Sequence, residues 1–328
     1  MPISLRKTSD NGLFGLDIDG RFVAAAQVRD GKLANTASAE LPAGVLADGE
    51  VADREALSAA LKEFVSANKL PRRVMLGVSN QQIVVRVVDL PRIDDPGERD
   101  AALRFSASEA IAMPLDDAVL DHQIAGYTTN SDGSERMQVV LVAARRTMIE
   151  EYLGAVKDAG LKAEGIDLDA FALVRMLAAE AATDTVISEG VAPPLVPFED
   201  GQETPRAARV ICHLGGVSNL AIALGDSCLF CRTLSTSFDA AGAGAQIAND
   251  IRLSIDYYMG QPGALPVGDV LLSGEGARDE ALVADLAGQL GIPVSAARPL
   301  GSLDSTGIAD GDVHRYTVAA GLAMGAAA

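Results

Sequence analysis

Residues 13–20, LFGLDIDG, have the pattern of a buried strand that ends in an acidic glycine turn, and residues 210–216, VICHLGG, repeat that arrangement. Two further strand-like segments follow each stretch, at 21–29 and 33–41 in the first case and at 220–224 and 228–234 in the second. Each meander leads to a helix, and Asp53 is expected to cap the first of them. The sequence therefore predicts an α/β protein of two lobes built on one duplicated plan.

A separate module is predicted inside the first lobe. Asp95 before Pro96 is typical of a helix start, the polar loop 128–134 suits a β-hairpin, and Thr147 is expected to cap another helix. We therefore divide the chain into a first lobe at 12–90 and 165–187, an inserted α+β module at 91–164, a proline-rich linker at 188–206 and a second lobe at 207–328.

Composition and charge limit the partners. The chain has 328 residues, is 48% hydrophobic and carries 27 Lys and Arg against 45 Asp and Glu, which gives a net charge of −18. That field repels nucleic acid and anionic lipid. The first residues lack a secretory signal, no segment reaches the roughly 20 apolar residues that span a bilayer, and the apolar C-terminus suits a packed helix. We expect a cytoplasmic protein without direct membrane insertion.

No metal site is expected from the cysteines and histidines. The chain has three of each. Cys228 and Cys231 resemble half of a zinc site, but they lie in a strand, where positions three apart point to opposite faces. No second pair accompanies them, so buried free thiols are predicted. The histidines His122, His213 and His314 are scattered without ligand spacing.

The duplicated meanders resemble those of the actin-like ATPase superfamily, whose fold is ribonuclease H-like. Residues 270–277, VLLSGEGA, are similar to its adenosine loop. Within the superfamily the chain resembles the type IV pilus assembly protein PilM family. The strings that carry this resemblance are EAIAMPLDDAVLDHQ at 109–123, VAAR at 142–145, AGLK at 159–162, IDLDAFAL at 166–173 and IRLSIDYY at 251–258.

The resemblance implies a nucleotide site made of three loops. Its contacting positions would be Asp17, Asp19, Gly20, His213, Gly215, Gly216, Ser218, Asn219, Gly274, Glu275 and Gly276. The chain departs from the family pattern at several of them. Asp19 stands in a glycine position, Ala24 in a lysine position, His213 and Asn219 in Asp and Thr positions, and Glu275 in place of a middle glycine. The added carboxylates and the missing lysine disfavour phosphate.

A reduced second lobe is also expected. The family carries a lid subdomain after the second meander, whereas residues 235–250 leave room for only about four helical turns, continuous with the helix at 251–258. Without a lid, a bound nucleotide would stay wet. We interpret His213 as one sign of a decayed nucleotide site. The alternative is that Asp17 or Asp19 alone keeps a metal, that His213 faces the core and that weak ATP binding survives.

The resemblance implies a cytoplasmic scaffold that binds the N-terminal peptide of a PilN-like inner-membrane protein, and so lies at the inner face of that membrane. The peptide is expected in a groove between the first lobe and the module, near residues 112–115 and the helix at 146–159. The alternative for the first of these segments is that Met113 and Leu115 simply form the core of the module. Neither a cofactor nor a catalytic residue is required, and homo-oligomerisation stays open. The alternative function is an active ATPase or small-molecule kinase. Asp239 would be its base, although an exposed Asp at a helix N-terminus is the commoner explanation of such a residue, because Asp stabilises that end of a helix.

Overall fold

In the part of the chain that the structure describes, the protein contains two five-stranded sheets, one three-stranded sheet and two short two-stranded pairs, with helices packed against the larger sheets. The computed structural model describes residues 12–47, 49–129, 132–178, 195–196, 204–205, 207–240, 242–261, 263–301, 303–304, 306, 308 and 313–326. No helix within these ranges is long and apolar enough to cross a membrane.

The first lobe starts with the expected meander. Its elements are β1 (Leu13–Ile18), β2 (Phe22–Arg29), β3 (Lys32–Glu40), the short pair β4 (Leu46–Ala47) and β5 (Glu50–Val51), α1 (Arg54–Ala67) and β6 (Arg73–Val78). Asp53 caps α1 as predicted, because its carboxylate accepts the Ala56 amide at 2.9 Å. Leu57, Leu61 and Phe64 form the buried face of α1, and burying each such side chain stabilises the fold by about 1.5–3 kcal/mol.

The inserted module contains β7 (Val84–Pro91), α2 (Pro96–Ala110), β8 (Ala118–Thr129), β9 (Glu135–Arg145) and α3 (Arg146–Asp158). The hairpin between β8 and β9 and the Asp95 cap of α2 are confirmed. Strand β7 pairs with β9, so the sheet of the module starts before residue 91. Helix α3 begins at Arg146 rather than after Thr147, and Arg145 at its N-cap makes no side-chain capping bond.

The chain then returns to the first sheet through β10 (Lys162–Leu168) and enters α4 (Asp169–Leu177). The strand order in this sheet is β10-β6-β1-β2-β3, with β1, β6 and β10 parallel. Met148 and Tyr152 of α3 lie in the core of the first lobe, so this helix fastens the module to that lobe. The predicted linker at 188–206 lies outside the described residues, except for an antiparallel pair of β11 (Leu195–Val196) and β12 (Thr204–Pro205).

The second lobe repeats the first sheet. It contains β13 (Ala208–His213), β14 (Asn219–Leu224), β15 (Ser227–Thr233), α5 (Ala243–Met259), β16 (Val267–Ser273), α6 (Glu280–Leu290) and β17 (Val294–Ala296). Its strand order is β15-β14-β13-β16-β17, again an antiparallel meander that continues into parallel strands. The predicted duplication is confirmed. Helix α5 starts at Ala243, later than the sequence suggested, and follows a non-helical connection.

The last helix, α7 (Thr317–Gly325), lies against the first sheet although the sequence division assigned it to the second lobe. It packs on β1, β2, β6 and α4. Gly15 of β1 allows this close approach, because a Cβ at that position would collide with the backbone of Ala319. Together, α4 and α7 belong to a buried cluster that also includes Ile211 and Ala221 of the second sheet, so they join the lobes.

Candidate functional site

The turns that follow β1 and β13 are in direct contact, and this contact defines the centre of the candidate site. Asp17 is the penultimate residue of β1, and Asp19 and Gly20 form the turn into β2. Both carboxylates are buried. Gly20 has a φ of +92°, a conformation that side chains disfavour. The acidic side chains of the first predicted loop are therefore packed inside the protein.

Asp19 binds backbone amides of both lobes. Its Oδ1 accepts from the amides of Arg21 at 3.1 Å and Phe22 at 3.3 Å. Its Oδ2 accepts from the amide of Gly216 in the second loop at 2.6 Å. Burial raises the pKa of Asp19 to about 6, against the opposing effect of these three amides. The Gly216 amide that a phosphate would need already has a carboxylate acceptor.

His213 ends β13 and is buried. Its Nδ1 lies 2.9 Å from the hydroxyl of Ser273. Burial, helped by the nearby His314, lowers the pKa of His213 to about 4. The ring is therefore neutral at pH 7 and supplies no positive charge for an anion. The expected alternative that His213 faces the interior agrees with this position.

The rest of the second loop makes internal contacts. Asn219 accepts from the hydroxyl of Thr233 at 3.1 Å and donates to the carbonyl of Val217 at 3.4 Å. Ser218 is buried, and its hydroxyl has no partner among the described residues. A Cβ on Gly215 would meet the Asp19 carboxylate at 2.6 Å, so the two turns fit together only because this residue is glycine.

The third predicted loop packs against the first two. Gly274 has a φ of +83°, and Gly276 donates its amide to Leu214 at 3.0 Å. Glu275 forms an ion pair with Arg315 at 2.7 Å, and the Arg315 guanidinium lies 5.1 Å from the centre of the Phe22 ring. All three predicted loops thus meet at one place. The carboxylates of Asp19 and Glu275 are partnered within the protein.

Of two further positions singled out from the sequence, Ala24 agrees with its interpretation and Asp239 does not. Ala24, which stands where the family has lysine, is fully buried in the cluster between the sheets, so no cation lies there. Asp239 is not at the start of a helix, because α5 begins later, at Ala243. It forms an ion pair with Arg21 at 3.0 Å. This pair connects the first loop to the segment before α5 and accounts for Asp239 without a catalytic role.

Sequence reasoning missed Asp169, the first residue of α4. It is buried, and its Oδ1 has no hydrogen-bond partner. Burial raises the pKa of Asp169 to about 7, while a hydrogen bond from Ser79 opposes the rise. Burial, with the charges of Asp169 and Asp19, also raises the pKa of Asp17 well above its usual range. Three carboxyl groups therefore share one low-dielectric region. Within the described part of the chain, no three His, Cys, Asp or Glu residues are arranged to hold a metal ion.

The orientation predicted for the cysteine pair is wrong. Strand β15 bulges at Leu229, so Cys228 pairs with Ala223 and Cys231 with Ala221. Residues two apart on β14 share a face, so both cysteines lie on the same side of β15. A hydrogen bond from Cys231, together with burial, raises the pKa of Cys228 well above its usual range. The thiols are unpaired by disulfide, as expected.

A groove separates the module from the first lobe. It encloses about 390 Å³ and lies between β8, an edge strand of the module, and β10, an edge strand of the first sheet. Its walls are largely aliphatic and aromatic, with Ile149 from α3 and Phe171 from α4. Asp121 and Asp167 supply negative charge. Asp167 forms an ion pair with Arg175 at 2.9 Å, whereas no described cation pairs with Asp121.

Comparisons with known proteins agree on the family and the fold. The profile of the family described as type IV pilus assembly protein PilM matches residues 15–193. A solved PilM–PilN type IV pilus biogenesis complex is similar with a TM-score of 0.75 and 21% identity, over 96% of this chain and 98% of that chain. The expected actin-like two-lobe fold is thereby confirmed.

Two more distant structures also match. One is the cytoplasmic domain of EpsL, an inner-membrane component of the type II secretion system of Vibrio cholerae, with a TM-score of 0.47, 10% identity and coverage of 95% of this chain and 94% of that chain. The other is MreB5 of Spiroplasma citri bound to ADP, with a TM-score of 0.48, 10% identity and coverage of 96% of both chains.

Proposed function

Because this chain belongs to the type IV pilus assembly protein PilM family, we propose that it is an actin-like scaffold of a pilus assembly platform. In this proposal it binds the N-terminal peptide of a PilN-like inner-membrane protein from the cytoplasmic side. It works without ATP. The observation that supports the proposal most is the groove between β8 and β10.

The groove offers backbone and side chains suited to an extended peptide. Edge strands carry amide and carbonyl groups that no neighbouring strand uses, and an added strand can bond to them. Here two edges face one groove, so a peptide can pair with β8 while its side chains enter the apolar wall. Asp121 and Asp167 favour a basic residue beside the apolar anchors.

The peptide position differs in part from the sequence expectation. Helix α3 contributes Ile149 to this groove, in line with it. Met113 and Leu115 of the segment 112–115 instead pack against the core of the module, which was the alternative interpretation of that segment. Ala112, Met113 and Pro114 also border a different cavity. We therefore place the proposed peptide between β8 and β10 and not along residues 112–115.

Three features support lost nucleotide binding as part of the proposal. Asp19 uses the Gly216 amide, His213 is neutral at pH 7, and Glu275 is paired with Arg315. A phosphate entering this site would have to displace the Asp19 carboxylate from the Gly216 amide, and it would then lie near other carboxylates of the site. Helix α5 follows the second meander after a short connection, with no further helix described between them that could cover adenine. The site thus holds the lobes together and leaves the groove independent of nucleotide.

The experiment is a calorimetric titration of the full chain with a synthetic peptide from the N-terminus of the PilN-like partner. We expect micromolar affinity that is the same with and without magnesium ATP. Asp121→Lys should weaken binding at least tenfold. The exposed Asp100 on α2 lies outside the groove, so Asp100→Lys gives the same charge change and should alter binding less than twofold. Equal effects of the two variants, or binding only with ATP, would contradict the proposal.

A further inference from the structure

A second cavity, of about 710 Å³, lies between β7, residues 110–114 and the first turn of α3. It shares no lining residue with the peptide groove. Three arginines, Arg86, Arg145 and Arg146, border it, and Asp117 is the only acidic residue among the described residues that line it. In a chain whose net charge is −18, three arginines against one aspartate make this cavity a local excess of positive charge.

The arginines keep most of their hydrogen-bonding capacity. None of them is within 4.0 Å of a described carboxylate. Arg146 donates to the carbonyl of Ala118 at 2.7 Å, and Arg86 donates to the carbonyl of Val85 at 2.9 Å. Each bond holds a guanidinium in place while using one of its five N–H donors. Arg145 is exposed. The remaining donors suit carboxylates, which guanidinium groups bind in a bidentate fork.

The first turn of α3 adds to the positive potential. This turn contains no acidic residue, and Arg145 at the N-cap makes no side-chain capping bond. A helix N-terminus is itself positive, so Arg145 and Arg146 lie where cations are disfavoured unless an anion joins them. This field has the same sign as that of the guanidinium groups.

The wall of the cavity is aliphatic. Val84, Ala110 and Met113 border it beside the arginines. A free inorganic anion would leave this wall and most of the volume unused. The net negative charge of the protein also opposes the approach of an anion from a distance, so a stable occupant needs apolar contacts in addition to its charges.

We propose that this cavity is a second docking site, which takes an acidic segment of a partner protein with an aliphatic side chain between carboxylates. The carboxylates bind Arg145 and Arg146, and the aliphatic side chain contacts Val84 and Met113. The charge preference is opposite to that of the groove lined by Asp121 and Asp167. The two sites therefore select different partners and do not compete.

The test uses a fluorescein-labelled, capped peptide of sequence Glu-Leu-Glu-Glu-Leu-Glu and fluorescence anisotropy on the full chain. Arg145→Gln combined with Arg146→Gln should weaken binding at least tenfold. The matched control combines Arg29→Gln with Arg104→Gln, two exposed arginines outside the cavity, and should change the Kd less than twofold. Raising KCl from about 50 to 300 mM should weaken binding to the unsubstituted protein.

A second variant covers the case in which the arginine substitutions disturb folding. Ala112 is exposed at the cavity, so Ala112→Glu should reduce peptide binding severalfold, whereas the neutral Ala112→Gln should not. Three results would each overturn the proposal. They are equal Kd values for both arginine pairs, equal binding of a peptide with Gln in place of Glu, and displacement by inorganic phosphate at constant ionic strength. Competition by the PilN-like peptide would overturn the claim of a separate site.

Discussion

The carboxylate of Asp19 accepts the backbone amide of Gly216 at 2.6 Å, across 197 residues of sequence and between the two lobes. In an actin-like cleft, glycine-turn amides of this kind are suited to an anionic ligand. Here an anion of the protein itself fills that role. The turns of the two lobes are therefore joined directly, through a protein side chain.

Gly216→Ala should destabilise the protein. A Cβ at this position would meet the Asp19 carbonyl oxygen and its Oδ1, each at 2.5 Å. The collision would also lengthen the bond that joins the lobes. We expect a loss of about 2 kcal/mol in the free energy of unfolding, measured by urea denaturation. Gly288→Ala in α6 is the control, because nothing lies within 4 Å of its Cβ position. It should be neutral or stabilise by up to about 1 kcal/mol.

The effect of Asp169→Asn on the free energy of unfolding should become more favourable as the pH rises. Burial raises the pKa of Asp169 to about 7 from an ordinary value of 3.8. A raised carboxyl pKa contributes stability that is present at low pH and is lost as the pH rises through the folded-state value. The variant does not lose this stability, so between pH 5 and pH 8 it should gain about 2–3 kcal/mol relative to the unsubstituted protein. A difference that stays constant between these pH values would show that the carboxyl group ionises without cost.

His213→Gln should show the opposite trend with pH. Burial lowers the pKa of His213 to about 4, so the folded state binds a proton less readily than the unfolded chain. The unsubstituted protein therefore loses stability as the pH falls below the ordinary value of 6.5. Relative to it, the variant should gain about 2 kcal/mol between pH 7 and pH 4.5, as measured by denaturation at each pH. The prediction is wrong if both proteins lose the same stability as the pH falls.

The elements that sequence predicted well are governed by local signals. Asp53 and Asp95 cap their helices because each lies directly before an apolar or proline-led helical segment. The two meanders follow from alternating strands and turns. Periodicity assigns a face to a strand but not its partner, so the pairing of β7 with β9 and the packing of α7 on β1 were missed. The bulge at Leu229 had no local signal either.

The candidate site was predicted to a similar extent. The resemblance selected the three loops, and the structure brings them together. The resemblance gave no sign that Asp19 binds Gly216, because that contact depends on how two lobes that are distant in sequence pack together. Asp169 lies in the string IDLDAFAL at 166–173, but a single Asp at the start of a helix is usually explained by its favourable interaction with the helix dipole. Its burial beside Asp17 becomes visible only in three dimensions.

The last prediction is that magnesium ATP neither stabilises the protein nor is hydrolysed by it. Ligand stabilisation equals RT ln(1 + [L]/Kd), so a Kd of about 5 mM or weaker gives at most about 0.4 kcal/mol at 5 mM ATP. The melting temperature should move by no more than about 1 °C.

Asp19→Gly combined with Glu275→Gly restores both glycines of the family pattern and frees the Gly216 amide. Turnover should still be absent, because no described element covers the adenine side and bound phosphate would stay solvated. An ATPase active under the same conditions serves as the positive control. A shift of several degrees in the unsubstituted protein would show that ATP binds and would contradict the prediction. Turnover in the double variant would show that the two carboxylates, and not the missing lid, had abolished activity.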